Sequence, residues 1–393
     1  RPQFGAQARR FYYLEAEDIY HYYVPTPYTD LYFKTTFEQG QNLDASFTSN
    51  FTERFNFYIA YKGLRSLGNY QNSATSNGHF RIGVAYSTRN DRYHLRTHFT
   101  SQDFLVEENG GLTATARQQF LDGVEDFENR AQLDVQFENA ENFFLGRRFL
   151  VDQFYKVKKG NDSTQNGQLR LKHKILFKDK SFSFSQRRAN DVFGIALESQ
   201  NLNKEVQFQD VENSLGLSYQ LNPLGVFEFN VSHSNFNYGY QSVFISDDFV
   251  VPNRLTGDIL SLGGSYRGRI GKFDLRGDLQ YNFSGDFEGN YLKTEARYDF
   301  SDDLSSTAKL NIHSRAPNYN FLLHQSDYLN YNWINNFENK KTQYLSAEIE
   351  SKKYGRAEAS LTQMQDYTYF GFVDNPGEDA ITDSLVRPFQ FSG

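Results

Sequence analysis

Two histidines are the first residues whose type and spacing suggest chemistry, because only three positions separate His94 from His98. On a strand this spacing places both imidazoles on one face, with Arg96 between them. A metal site needs at least a third ligand, and the usual His-x-x-x-His pair lies on a helix. We therefore predict no metal centre and interpret both histidines as polar residues of a water-facing surface.

A second candidate is the run Gly263-Gly264-Ser265-Tyr266, which is superficially similar to the turn that carries the nucleophile of serine hydrolases. Arg267 stands where that turn requires glycine, and the flanking residues alternate as in a strand, without the helix that should follow. No other segment of the sequence groups a nucleophile with a histidine and a carboxylate. The sequence therefore predicts no enzymatic activity and no cofactor.

Charged side chains that recur at every second position are the remaining candidates. An isolated ion costs several kcal/mol to bury in a dry interior, even after relaxation, so the face that carries these charges must hold water. We predict that this face lines a pore, in which charge influences the passage of solutes. The predicted pore-lining residues are Arg81, Arg96, Arg130, Lys172, Arg276, Asp278, Glu295 and Arg297.

Strands must position these charges, because alternation of large apolar residues with other residues dominates the chain. Every second position from Phe55 to Tyr61 carries such an apolar side chain, which is typical of a strand with two unlike faces. Rings cluster near the ends of these segments, as expected for a face in contact with lipid. The alternation returns in segments 80–86, 133–137, 169–171, 215–219, 227–231, 273–283, 292–300, 310–312 and 345–349.

The joints between these segments are alternately short and long. Short joints are predicted at residues 50–53, 89–92, 139–142, 179–180, 221–225, 268–271, 301–303 and 338–341, and long joints at 64–77, 103–127, 157–166, 188–210, 237–257, 285–289 and 315–326. About 18 strands result, each long enough for the roughly 9–11 residues that a tilted strand needs to cross a bilayer. The sequence therefore predicts an all-β fold, an antiparallel transmembrane β-barrel of at least about 18 strands with short periplasmic turns and long extracellular loops.

The composition excludes several classes of protein. The 393 residues include 38 Phe and 27 Tyr, an aromatic content that argues against a disordered chain. Lys and Arg number 41 against 48 Asp and Glu, for a net charge of −7, and the signs are interspersed, so no nucleic-acid partner is expected. The longest apolar run, Phe57–Tyr61, is too short for a membrane-spanning helix.

The acidic segment 103–127 is a candidate constriction loop. It mixes apolar residues with carboxylates, and long ordered loops are commonly functional. We predict that it folds inward, narrows the pore and sets a transverse field against the basic residues of the wall. The alternative, that it packs on neighbouring loops at the rim, stays open. The predicted constriction residues are Glu107, Glu108, Asp122, Glu125 and Asp126.

Three segments near the start of the chain carry a family resemblance. They read VPTPYTDL at Val24–Leu31, FEQGQNLDA at Phe37–Ala45 and YKGLRSLG at Tyr61–Gly68. These segments resemble the Putative porin family of Bacteroidota outer membranes, and the match is densest over the first 115 or so residues. The resemblance implies an outer-membrane barrel of a Gram-negative bacterium, surrounded by outer-membrane lipid and lipopolysaccharide.

The chain divides into an N-terminal segment, residues 1–28, and a barrel, residues 29–393, which we expect to be incomplete at its C-terminal end. The N-terminal segment is rich in tyrosine and is predicted to be either a plug or a docking strip. The predicted function is passive diffusion of small hydrophilic solutes. The alternative is a non-conducting accessory subunit of a larger outer-membrane secretion or nutrient-uptake complex. A plugged lumen would favour the accessory role, and an open lumen would favour diffusion.

Overall fold

Fifteen strands of the described residues form one antiparallel sheet, in which neighbours in sequence are neighbours in space. The computed structural model describes residues 2–5, 12–36, 39–123, 129–160, 166–246, 249–373 and 385–391. The strands are β1 (Tyr28–Thr36), β2 (Gly40–Thr52), β3 (Phe55–Ser66), β4 (Thr75–Ser87), β5 (Tyr93–Glu108), β6 (Ala140–Lys158), β7 (Leu169–Arg188), β8 (Gln200–Leu221), β9 (Gly225–Gly239), β10 (Arg254–Ile270), β11 (Phe273–Gly285), β12 (Gly289–Asp299), β13 (Leu304–Arg315), β14 (Lys340–Ser351) and β15 (Gly355–Gln365).

Smaller elements lie outside this sheet. A separate hairpin pairs β16 (Tyr367–Val373) with β17 (Leu385–Phe391). Two-residue strands pair within the loops, Phe244–Ile245 with Val250–Val251 and Leu323–His324 with Trp333–Ile334. The helical elements are α1 (Ala114–Asp122), α2 (Tyr319–Leu322) and the 3-10 turns Ala16–Asp18, Arg130–Gln132, Asp191–Phe193 and Leu329–Tyr331. Over the ranges that the structure describes, no helix is both long and apolar enough to cross a membrane.

Most joints between strands follow the predicted alternation of short and long. Other predictions are wrong: the joint predicted as a long loop at 157–166 lies at the end with the short turns, and the joint predicted as short at 139–142 lies at the other end, where β6 begins. At one end of the sheet the joints are tight, as at residues 53–54 and 271–272, whereas the other end carries the long loops 109–139, 240–253 and 316–339. Consecutive strands pair antiparallel throughout the sheet. The predicted all-β antiparallel architecture is therefore confirmed, and we call the two ends the turn end and the loop end.

The sheet has fifteen strands where the alternation indicated about 18, because three predicted strands are not separate members of it. Segments 129–138 and 327–337 belong to the loops before β6 and β14. Leu133, Val135 and Phe137 alternate because all three pack into the loop, where each is at most 9% exposed. The predicted turn at residues 179–180 lies inside β7, so one continuous strand replaces two.

Strands β6, β7 and β8 are unusually long, with 19, 20 and 22 residues. A tilted strand needs only about 9–11 residues to cross a bilayer. These strands therefore extend beyond the lipid at the loop end, where Arg147 and Asp179 form an ion pair at 4.0 Å. Charges in that extension interrupt the apolar alternation without ending the strand, which explains the turns wrongly predicted there.

The two faces of the sheet differ as the alternation predicts. The outer face carries exposed apolar side chains, including Phe229 (53% exposed), Leu215 (54%) and Leu345 (55%). Such a continuous apolar surface is typical of contact with lipid. The inner face, defined as the one that contacts the N-terminal segment, bears the charged and amide side chains.

An aromatic cluster lies on the inner face at the loop end. Tyr319 of α2 is fully buried there, with its ring stacked on Tyr238 at 4.6 Å. The cluster also contains Phe4, Phe104, Phe144, Phe208, Phe236, Tyr240, Phe244 and Leu323. It joins the N-terminal segment and the long loops 240–253 and 316–339 to the wall, so it covers the inner face at the loop end.

Replacing Phe236 by leucine should destabilise this cluster by about 1–2 kcal/mol, because the ring is 2% exposed and packs 5.2 Å from Phe287. Phe229→Leu is the matched control, since Phe229 lies on the outer face of the same strand β9. Thermal unfolding in detergent measures both variants. Equal loss of stability in the two would contradict the assignment of the faces.

Candidate functional site: the lumen and the N-terminal segment

The N-terminal segment is held on the inner face by a buried glutamine. The backbone N–H of Leu14 donates to Oε1 of Gln102 at 2.8 Å, and Nε2 of Gln102 donates to the carbonyl of Leu14 at 2.9 Å. Gln102 is completely buried on β5. A single side-chain amide thus satisfies both backbone groups of a residue 88 positions away, as a neighbouring strand would.

Charges reinforce this contact. Nη1 of Arg148 donates to the carbonyl of Leu14 at 2.9 Å and lies 3.6 Å from a carboxylate oxygen of Glu15. The other carboxylate oxygen of Glu15 lies 3.4 Å from Nζ of Lys180. The side chain of Arg148 is fully buried, so Glu15 supplies a charge partner that this guanidinium needs.

Rings on both sides of Leu14 pack the segment against the wall. Tyr13 contacts Phe144 edge to face at 5.5 Å, and Tyr22 contacts Tyr58 at 5.4 Å. His21 lies 5.8 Å from the ring of His98. Burial lowers the pKa of His21, and the nearby guanidinium of Arg96 lowers it further. His21 is therefore held as the neutral imidazole against a basic part of the wall.

All predicted pore-lining residues except Arg130 lie on strands of the sheet. Arg81 is 3.6 Å from Asp44, and Lys172 is 2.8 Å from Glu228. Arg276 and Asp278 each have an oppositely charged neighbour on the inner face, as does Arg297. Arg96 lies on the inner face of β5, and Glu295 lies opposite Arg276 in the register of β11 and β12. These residues form rows of alternating charge along the wall.

Arg130 does not lie on a strand, and its predicted place on the inner face is wrong. It belongs to the 3-10 turn Arg130–Gln132 in the loop between β5 and β6. Its guanidinium lies 5.8 Å from the ring centres of Tyr70 and Phe120. The cause is the same misleading alternation at Leu133–Phe137, which placed a strand where a folded loop exists.

The acidic residues of the predicted constriction loop are engaged at the rim. Oε2 of Glu107 accepts from the N–H of Ala74, and Oε1 of Glu108 accepts from Asn142 at 2.7 Å. Both glutamates belong to β5, and Asp122 ends α1, where it accepts from Gln118. Glu125 and Asp126 lie outside the described residues.

The described part of this loop packs on its neighbours. Gln71 of the loop between β3 and β4 donates to the carbonyl of Ala131, and Asn190 of the loop between β7 and β8 donates to the carbonyl of Gln136. The ring of Phe137 lies 5.6 Å from that of Phe193. These are the contacts of the alternative that the sequence left open, in which the loop packs at the rim.

The two histidines considered as metal ligands have separate surroundings. His94 lies 2.9 Å from Asp91 at the turn end, whereas His98 accepts from Nε of Arg148 beneath the N-terminal segment. The Lys156 ammonium that bonds to Asp91 lowers the pKa of this carboxyl. Over the described ranges no group of three or more His, Asp and Glu residues is arranged to hold a metal ion.

Two cavities open on the inner face. One, of about 540 Å³, lies between β8 and β14 and is lined largely by serine, asparagine and glutamine side chains. The other, of about 570 Å³, adjoins the N-terminal segment and is lined by Phe4, Glu15, Lys180 and others. Arg315 lines both cavities. Gln102, Arg148 and Arg315, which organise this site, were not singled out in the sequence, although all occupy inner-face positions of the alternation.

Comparison with known proteins gives a family and a fold. The model of the family described as Putative porin matches residues 1–393. A search of curated proteins found no match. Among solved structures, the chain resembles a mutant of the ferric enterobactin receptor PfeA from Pseudomonas aeruginosa, with a TM-score of 0.62 at 8% identity over 93% of this chain and 58% of the receptor.

Two further solved structures have the same architecture. The FrpB iron transporter from Neisseria meningitidis has a TM-score of 0.59 at 10% identity, over 90% of this chain and 57% of the transporter. The siderophore receptor PirA from Acinetobacter baumannii has a TM-score of 0.59 at 10% identity, over 95% of this chain and 58% of the receptor. The chain thus spans less than two thirds of the length of these proteins, and the likeness establishes the fold. Because the family model matches residues 1–393, the chain belongs to the Putative porin family, and it is a β-barrel protein of the outer membrane of a Gram-negative bacterium.

Proposed function

We propose that this protein is a gated diffusion barrel, through which small hydrophilic solutes pass when the N-terminal segment leaves the inner face. The observation that carries the proposal is the docking of Leu14 by Gln102 and Arg148. These bonds join a separate segment to side chains of the wall, and the strand pairing of β4 to β7 does not depend on them. The segment can therefore leave while the wall stays intact.

The free energy that holds the N-terminal segment on the inner face is in the range expected for a reversible gate. A hydrogen bond contributes about 0.5–1.5 kcal/mol net to stability, and one to a charged group about 1.5–3 kcal/mol. Three such bonds contribute a few kcal/mol, and the ion pairs of Glu15 and the ring contacts of Phe4, Tyr13 and Tyr22 add to this, so the open state is a small fraction of the population. Once open, the rows of paired charges on the wall would provide a polar path for hydrated solutes.

Deletion of residues 2–24 tests this function. We expect the full chain, refolded and inserted in planar bilayers, to conduct rarely, and the deletion variant to show frequent stepwise conductance. Strand content by circular dichroism and heat resistance in detergent provide the control that the deletion variant is folded. A folded deletion variant that stays silent would refute diffusion through this barrel.

A second candidate function is a non-conducting accessory barrel within an outer-membrane protein complex. The N-terminal segment docked on the inner face favours it, since a plugged lumen was predicted to favour this role. The aromatic cluster supports the same reading, because Phe4, Tyr238 and Tyr319 join the segment and loop 316–339 in one buried contact at the loop end. The solved structures that this chain resembles are described as receptors or transporters of iron and siderophores. Uptake assisted by partner proteins would fit a barrel that stays closed on its own, and silence of the deletion variant is the result expected for this role.

A further inference from the structure

Two basic side chains without carboxylate partners, His313 and Arg315, line one end of the cavity between β8 and β14. A third, Lys340, lies beside this end, with its ammonium 5.7 Å from the ring centre of Tyr367. Arg315 and Lys340 are directly opposite each other in the register of β13 and β14, and His313 is two positions before Arg315. Arg315 and Lys340 are the charged groups close enough to interact electrostatically with the imidazole of His313. Among the described residues, neither Arg315 nor Lys340 has an acidic group within ion-pair distance.

This arrangement is unfavourable without a counter-ion. Like charges directly opposite on neighbouring strands destabilise a sheet. Several other basic residues of the inner face have acids beside them, as Arg267 has Asp278 at 3.2 Å and Lys174 has Glu212 at 3.0 Å. The residue opposite Arg315 on its other side is Gly289, which has no side chain and leaves room beside the guanidinium. The missing negative charge is therefore most simply supplied by a bound anion.

The rest of the cavity is suited to hydroxyl groups. Ser261 and Asn282 are joined by a hydrogen bond of 2.8 Å, and Gln280 also lines the space. Oδ1 of Asn311 is buried in the wall with no hydrogen-bond partner among the described residues, so it can accept a hydrogen bond from a ligand. Glu212, the acidic residue in the lining, is already paired with Lys174.

The cavity also has the size and the aromatic lining of a small-molecule site. A volume of about 540 Å³ lies within the range of small-molecule sites, which is about 300–1,000 Å³. Tyr291 and Tyr344 supply rings to the lining. Aromatic surfaces with a few converging polar groups are typical of sites that orient a small ligand.

We propose that this cavity binds an anionic polyhydroxylated solute, a sugar-like molecule with a carboxylate or a phosphate, whose charge is bound by Arg315 with His313 beside it. The amide and hydroxyl side chains bind the hydroxyl groups, and Asn311 accepts one of their hydrogen bonds. This inference rests on the proposed transport function, because it names the class of solute that the barrel would retain on its path.

Calorimetric titration of the full refolded chain in detergent micelles tests the inference. The ligands are glucuronate, glucose 6-phosphate, glucose and inorganic phosphate. We expect glucuronate and glucose 6-phosphate to bind at least about tenfold more tightly than glucose or inorganic phosphate, because a charge-assisted bond and the hydroxyl contacts are both required. Glucose bound as tightly as glucuronate would overturn the role of charge, and phosphate bound as tightly as glucose 6-phosphate would overturn the role of the hydroxyl lining.

Substitutions locate the binding. Arg315→Gln should reduce the affinity for glucuronate to that for glucose, whereas Arg315→Lys should retain most of it. Arg356→Gln is the matched control, because Arg356 is the second residue of β15, at the turn end, and is paired with Glu348 and Glu358. Thermal stability without ligand should be unchanged or higher in Arg315→Gln, since a like charge opposite Lys340 is removed. Equal weakening by Arg315→Gln and Arg356→Gln would refute the site.

These experiments can refute the binding site and the diffusion function separately. Calorimetry in micelles requires no passage through the barrel, so a silent barrel that still binds glucuronate would refute diffusion and leave the site standing. A conducting barrel that binds none of the ligands would refute the site and leave diffusion standing.

Discussion

Replacing Leu14 by proline should open the barrel. Proline has no N–H, so Gln102 loses the donor that now lies 2.8 Å from its Oε1 while it stays fully buried on β5. Leaving a buried acceptor unsatisfied costs about 1–3 kcal/mol, which raises the open population roughly 5- to 150-fold. The measurement is the open probability of single channels in planar bilayers. The substitution changes no residue of the wall, so the conducting path keeps its composition.

Tyr20→Pro is the matched control for this variant. Tyr20 is 75% exposed, and the residue before it, Ile19, has extended backbone angles of φ −91° and ψ 113° that a following proline accepts. We expect its open probability to equal that of the unmodified chain. If both proline variants open the barrel, the effect comes from general loosening of the segment, and the specific role of Gln102 is refuted.

Acidification should release loop 316–339 from the loop end. His324 of this loop is stacked on Trp333 at 4.6 Å and hydrogen-bonded with Tyr240, and burial lowers its pKa to about 4. When the loop is released, the pKa returns to about 6.5 and the released form binds the proton first. The closed loop therefore has its full stability above pH 6.5 and loses it progressively as the pH falls toward 4. The difference of about 2.5 pKa units corresponds to about 3 kcal/mol.

The fluorescence of Trp333 measures this release, because it is the single tryptophan of the chain and is 7% exposed. Its emission should shift to the red between pH 6.5 and 4. His324→Phe keeps a ring beside Trp333 but has no proton to gain, so its emission should stay constant over that range. The charged groups nearby are Lys204 and Asp327, which are paired at 3.9 Å. A red shift of equal size in His324→Phe would assign the transition to another group.

The antiparallel architecture could be predicted from the sequence, because the alternation of apolar and polar residues is a local property of each strand. A strand such as Phe55–Ser66 or Thr75–Ser87 can be predicted from the alternation of its own residues alone. The turns between strands are marked by nearby polar residues. Alternation misleads where a loop buries every second residue for another reason, as at Leu133, Val135 and Phe137. It also misleads where a strand leaves the lipid without ending, as β7 does at Asp179.

The candidate site could be predicted less well from the sequence, because its contacts join distant parts of the chain. Gln102 and Leu14 are 88 positions apart, and Arg148 and Leu14 are 134 apart. Nothing in the pattern around Leu14 indicates which wall residues it meets. Charge rows such as Arg276, Asp278 and Glu295 could be predicted, since each follows from the parity of its own strand. That Arg315 has a basic neighbour and no acidic one depends on the pairing of β13 with β14, which places Lys340 opposite it.

The position of Phe4 has a consequence for the order in which the protein folds. Its ring packs 5.8 Å from Phe208 on β8 and 6.1 Å from Tyr238 on β9, so its binding place does not exist until those strands have paired. Closing so large a stretch of chain is entropically unfavourable before the intervening contacts form. Residues 2–5 are therefore expected to dock only after β8 and β9 have paired. During assembly this part of the wall therefore forms before the N-terminal segment covers its inner face.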